Sequence, residues 1–176
     1  GGNDDPGKKD GTIVLDFTDP VWKDEKITPY VENNEDVLNF TYEDIEYNDA
    51  GCFASYYGES DVHWLMMKNK WEDGKVTADD HFAFFGNAAS YGKAIKSIEV
   101  TTSVQGGGVD MYVDFGSSAF SSFSLSGTKK AVTASKETVF TATNKGDGEY
   151  FCITAAKAVG QYRKNGGIAK VVITLA

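Results

Sequence analysis

Two stretches of the chain, Ile95–Thr102 and Ile168–Leu175, alternate apolar and polar side chains in the same way. The first reads Ile95-Lys96-Ser97-Ile98-Glu99-Val100-Thr101 and the second Ile168-Ala169-Lys170-Val171-Val172-Ile173-Thr174, so both follow Ile-x-x-Val/Ile-x-Val/Ile-Thr. Successive side chains of a strand point to opposite faces, and β-branched residues suit a pleated surface. The two segments are therefore expected to be core strands of one β-sandwich, with Ile98, Val100, Val171 and Ile173 facing inward.

The same period of two recurs along the chain. Thr12–Thr18 places Ile13, Leu15 and Phe17 on one face, and Asp19-Pro20 stops it. Trp22 falls in the following connection, where it is expected to plug the core near a sheet end. Ile27–Val31 reads as a short edge strand, because Pro29 lacks a ladder donor. Val37–Asn48 changes face partway, which calls for a turn or bulge near Glu43-Asp44. Cys52–Tyr57, His63–Lys68 and Phe82–Phe85 are further strands, with Asn69–Asp80 a polar loop carrying Trp71. Val109–Phe115 alternates most cleanly: Val109, Met111, Val113 and Phe115 inward, Asp110, Tyr112 and Asp114 outward. Ser117–Ser122 reads as a loop, Phe123 and Leu125 as a strand, and Gly127–Glu137 as a polar connection. Thr138–Thr143, Tyr150–Ala155 and Gln161–Arg163 precede the closing strand. About ten strands without sustained helical periodicity predict an all-β, two-sheet antiparallel sandwich of jelly-roll type. A final strand of this kind is expected to lie beside the first.

A length of 176 residues suits one domain with a proper core. Residues 12–176 are assigned to that domain and residues 1–11, polar and Gly-rich, to a flexible tether. This opening is expected to be the start of a mature, exported protein. The net charge of −9 argues against a nucleic-acid partner. The acidity is concentrated: residues 1–49 carry a net −10 and residues 50–176 a net +1. No run of about 18 apolar residues marks a membrane span. Cys52 and Cys152 fit no zinc spacing, and the sequence leaves open a bridge between sheets or two buried thiols.

Three stretches together resemble a known family. The opening Thr12-Ile13-Val14-Leu15-Asp16-Phe17-Thr18-Asp19-Pro20 with nearby Trp22, the central Lys93–Thr101, and the closing Glu149–Thr154 and Ala169–Thr174 resemble the galactose-binding-like β-sandwich domains of exported Bacteroidetes-type surface lipoproteins. The resemblance covers residues 12–176. It implies a non-catalytic extracellular binding module, attached to the cell envelope through a lipidated Cys ahead of a polar linker. Residues 1–11 fit that linker; the Cys lies outside this chain. Many members of the family have no assigned role, so a structural or protein-interaction domain without a small ligand is the rival expectation.

His63 and His81 sit in no nucleophile motif, so no catalytic residue is assigned. Asp44, Glu46 and Asp49 gather hard oxygens and are the candidate calcium ligands, although solvated acids explain them as simply. No other cofactor is expected. A carbohydrate is the expected partner, because aromatic faces stack on sugar rings while Asp groups bond hydroxyls. Trp71, Trp64 and Tyr112, with Asp110 and Asp114 beside the last, are the candidate ligand-binding residues. Core or edge packing is the competing role for each ring. The domain is expected to be a monomer.

Overall fold

A computed structural model describes residues 11–23, 38–56, 63–69, 71–72, 75–76, 82–104, 108–156 and 166–176. Ile27–Val31, Gln161–Arg163 and His81, all named above, lie outside the described residues. The described elements are β1 (Thr12–Asp16), a single 3-10 turn at Pro20–Lys23, β2 (Leu38–Tyr42), β3 (Ile45–Ala50), β4 (Cys52–Tyr56), β5 (His63–Met67), β6 (Trp71–Glu72), β7 (Lys75–Val76), β8 (Ala83–Asn87), β9 (Ile95–Thr102), β10 (Val109–Gly116), β11 (Thr128–Val132), β12 (Val139–Thr143), β13 (Tyr150–Ala156) and β14 (Gly166–Leu175).

Two six-stranded antiparallel sheets enclose the core. In the first, β14 is central: it pairs with β9 on one side, and with β5 and then β1 on the other. Among the described residues β12, β4 and β1 are each paired on one side only. The second runs β11-β10-β13-β8-β3-β2. The orders β5-β14-β9-β12 and β8-β13-β10-β11 interleave early and late strands, which is the jelly-roll connection. The expected sandwich is therefore present, and the last strand does lie beside the first.

The twin segments are neighbours in one sheet. Ile98 stands opposite Ile173 and Val100 opposite Val171, all four fully buried. Burial of each such side chain is worth about 1.5–3 kcal/mol. Trp22 plugs one end of the core, with its ring 4.7 Å from Phe17 and 4.4 Å from Tyr42.

Two local features follow from backbone chemistry. β2 and β3 form a hairpin whose two turn residues, Glu43 and Asp44, both have positive φ (49° and 65°), the primed turn that matches strand twist. This resolves the face change read in Val37–Asn48. Between β3 and β4 a single residue, Gly51, carries the chain from one sheet to the other at φ 71°. A Cβ there would lie 2.6 Å from the Lys68 carbonyl oxygen, so only glycine fits.

Three expectations change. Asn69–Asp80 contains a small ribbon, β6 paired with β7, where a loop was expected. Gly127–Glu137 contains strand β11, whose first four residues are all exposed and so show no alternation. Phe123 and Leu125 lie in no strand. Instead the segment 117–127 crosses the outer face of the second sheet as a strap. Phe120 and Phe123 pack there on Ala50, Phe84 and Cys152, and Phe123 also on Phe82 and Ala156. The Asn48 side-chain amide donates to the Phe120 carbonyl (3.2 Å), and the Ser124 backbone N–H donates to Thr154 Oγ1 (3.2 Å).

Candidate functional site

One end of the sandwich carries an open cleft of about 630 Å³. Its walls are the last residues of β10 (113–117), the end of the strap (126–128) and the β12–β13 connection (143–148). The lining is rich in hydroxyl groups from Ser117, Ser126, Thr128 and Thr143. Lys145 and Asp147 add opposite charges, and half-buried Phe115 adds an apolar surface.

The 143–148 wall is fixed by Asn144. Its amide Nδ2 donates to the carbonyls of Ile95 (2.9 Å) and Gly148 (3.1 Å), while its Oδ1 accepts the Gly146 N–H (3.0 Å). Backbone bonds from Asn144 N–H to the Lys96 carbonyl and from Ile95 N–H to the Gly148 carbonyl tie the same loop to the start of β9. Gly148 packs so closely on Gly116 that a Cβ would sit 2.6 Å from its carbonyl oxygen. The loop is thus held before any ligand arrives, which limits the ordering cost of binding.

Asp114 joins strap and cleft. Its side chain was expected to be displayed beside Tyr112. Strand alternation does send it to the outer face, but the strap closes over it and leaves it 6% exposed. The carboxylate accepts hydrogen bonds from the Ser124 side chain and from the backbone N–H groups of Ser126 and Gly127. Burial raises its pKa, and these bonds oppose the rise. Oδ2 is buried with no hydrogen-bond partner among the described residues. Gly127 is obligatory beside it: a Cβ would meet the Val113 carbonyl oxygen at 2.0 Å. Asp114 is an anchor for the cleft wall, with its orphan oxygen beneath it.

The other candidate residues are dispersed. Trp64 is buried and presents no ring face to solvent, although alternation with the core residues Leu65 and Met67 puts it on the outer face of β5. Tyr112 is half-buried on the outer face of β10, 5.9 Å from the Lys129 ammonium, which also bonds Asp110 at 3.4 Å. That cation sits over the ring that was expected to stack on a sugar. Trp71 lies on β6, and its side chain falls outside what the structure describes. Asp44 is at the exposed hairpin turn and Glu46 points to solvent, but Asp49 lies on the opposite face of β3, buried. Period-two alternation therefore separates Glu46 from Asp49, and the structure does not bring the candidate calcium ligands together. Among the described residues no group of three His, Cys, Asp or Glu side chains is placed to hold a metal.

Burial lifts the Asp49 pKa to about 7, with a hydrogen bond from the Cys52 backbone N–H opposing the rise. Both cysteines are free and buried. Burial raises the pKa of both thiols, that of Cys152 to about 12. Neither is therefore a nucleophile at neutral pH.

The sequence places the cleft residues in separate strands, loops and a turn, with nothing to join them. Lys145-Gly146-Asp147-Gly148 signals a tight turn, and the signal does not extend to what the turn packs against. No protein-family model and no curated protein sequence matches the chain. The fold and the cleft define a jelly-roll domain with a polar, loop-built concavity at one end of its described residues.

Proposed function

We propose that the chain is a non-catalytic extracellular binding module of the cell envelope, and that the cleft at the 143–148 loop takes a carbohydrate. The observation that carries this reading is the lining. A concavity of about 630 Å³ falls within the range of small-ligand sites. Its hydroxyl, carboxylate and ammonium groups, set around one half-buried ring, match a polyhydroxylated ligand better than an apolar one. The export and envelope attachment rest on the resemblance of the strand patterns to surface-lipoprotein sandwiches. Within this reading Asp147 and Lys145 bond sugar hydroxyls, Phe115 supplies the apolar contact and Asn144 holds the loop.

The test is titration of isotope-labelled protein with a panel of neutral, acidic and amino sugars, as mono- and oligosaccharides. Chemical-shift changes confined to residues 113–117, 126–128 and 143–148, and lost in Asp147→Ala, support the proposal. Changes elsewhere, or none with any sugar at millimolar concentration, overturn it.

A second reading, an adhesion or docking domain without a small ligand, is favoured by one observation. The large hydrophobic side chains that are exposed among the described residues are scattered aliphatics: Val14, Val21, Val104, Leu125 and Val139. No aromatic ring is among them; the rings at the described surface, such as Tyr112 and Phe115, are half-buried.

A further inference from the structure

From the geometry of the β12 edge we infer that a second copy of this chain pairs there, antiparallel and centred on Thr141, joining two six-stranded sheets into one. The inference does not require the cleft to bind a sugar, although Thr143 and Lys145 belong both to this edge and to the cleft lining.

Among the described residues β12 is one of the edges of its sheet, beyond β9. The orientation of its main-chain groups follows from the flanking bonds. Thr102 N–H donates to the Thr138 carbonyl, and Asn144 N–H donates to the Lys96 carbonyl. Residues alternate in an antiparallel ladder, so 138, 140, 142 and 144 bond to β9 while Val139, Thr141 and Thr143 turn their N–H and C=O groups outward. Among the described residues no backbone group answers them.

Edge strands are commonly protected by charge, proline or a bulge. β12 reads Val-Phe-Thr-Ala-Thr, with no charge and no proline, and its register against β9 is unbroken. Val139 is 54% exposed. β11, the edge of the other sheet on this side, carries exposed Lys129 and Lys130, which oppose like charge when the strand meets its own copy.

A two-fold axis through Thr141 brings the outward-facing residues into hydrogen-bonding register. Thr141 meets the second copy's Thr141, and Val139 meets the second copy's Thr143. Glu137 and Lys145 flank β12 at its two ends, so the two-fold pairing brings acidic Glu137 toward the end of the second copy's strand that carries basic Lys145, and the reverse. The contact is therefore self-complementary in hydrogen bonding and in charge, as an isologous interface requires. A single five-residue edge buries less than a standard interface, so association is expected at concentrations from about 10 μM to about 1 mM.

Sedimentation equilibrium over that range is the experiment. The wild-type chain is expected to shift from monomer to dimer. Thr141→Pro deletes an outward N–H and leaves the β9 ladder intact. It is expected to weaken association about tenfold or more, since two interface hydrogen bonds depend on that group. Glu137→Lys is expected to weaken the dimer, and Glu137→Lys combined with Lys145→Glu to restore it. A wild-type chain that stays monomeric throughout overturns the inference. So does a Thr141→Pro variant, folded by circular dichroism, that associates like the wild type. Should Thr141→Pro fail to fold, the charge reversal and its rescue decide alone, and a dimer indifferent to both belongs to another surface.

Discussion

The buried carboxyl of Asp49 accepts a hydrogen bond from the backbone N–H of Cys52, across the single residue at which the chain leaves one sheet for the other. That bond clasps the Gly51 corner, at the cost of holding a carboxyl out of water.

Asp49 consequently makes stability depend on pH. Its folded pKa, about 7, lies above its unfolded value of 3.8. The folded state then keeps a proton that the unfolded state loses, so the contribution of this group is fully present below pH 4. It declines as pH rises to about 7 and is level above that. A shift of three units corresponds to a loss on the order of 4 kcal/mol. Asp49→Asn keeps an acceptor for the Cys52 N–H and cannot ionise. Urea denaturation at a series of pH values should show the variant gaining on the wild type between pH 4 and 7, with no further gain at higher pH.

The pairing of β9 with β14 should dominate core energetics. Ile98→Ala and Ile173→Ala are each expected to cost about 2–5 kcal/mol, because both side chains are fully buried. The two residues are directly opposed, so the double variant should depart from additivity by more than about 0.5 kcal/mol. Chemical denaturation of the four proteins in the cycle measures both quantities.

The thiols should be silent in the native protein. Burial removes access to Cys52 and Cys152 and raises both pKa values. Reaction with a colorimetric disulfide reagent at pH 8 is expected to be negligible before denaturation and to report two thiols after it. A rapid native reaction would place one of them at an opening in the sheets.

Asn144→Ala should loosen the cleft more than the core. The substitution removes three hydrogen bonds that fix the 143–148 loop. A cost of about 1–3 kcal/mol in stability is expected, with weaker binding of any sugar that the titration identifies. Amide hydrogen exchange should rise at residues 144–148 and stay unchanged at Ile98 and Ile173.

Legibility in the sequence followed exposure. β9, β10 and β14 announce themselves because each buries one face and leaves the other to polar residues. β11 is silent because four of its five side chains are exposed, and an unburied strand has no reason to alternate. The strap misleads for the opposite reason. Phe123 is apolar because it covers the outer face of a sheet, and period-two reading has no place for a third layer. Asp114 shows the same limit. Alternation sends it to the outer face of β10, as it sends Asp49 to the inner face of β3 beside Ile45 and Tyr47, but does not tell that residues 117–127 lie over it. The cleft was hidden further, because backbone approaches at Gly116, Gly127 and Gly148 build it and no distinctive side-chain pattern does.

The placement of β14 bears on how the protein is made. Its residues supply the partner for β9, for β5 and for β1, whose Thr12 meets Thr174 across almost the entire chain. On the ribosome, one sheet therefore waits with its middle missing until residue 175 has emerged. During that interval the edges of β9 and β1 stay open and the inner faces of both sheets stay wet, a state suited to chaperone capture and prone to aggregate.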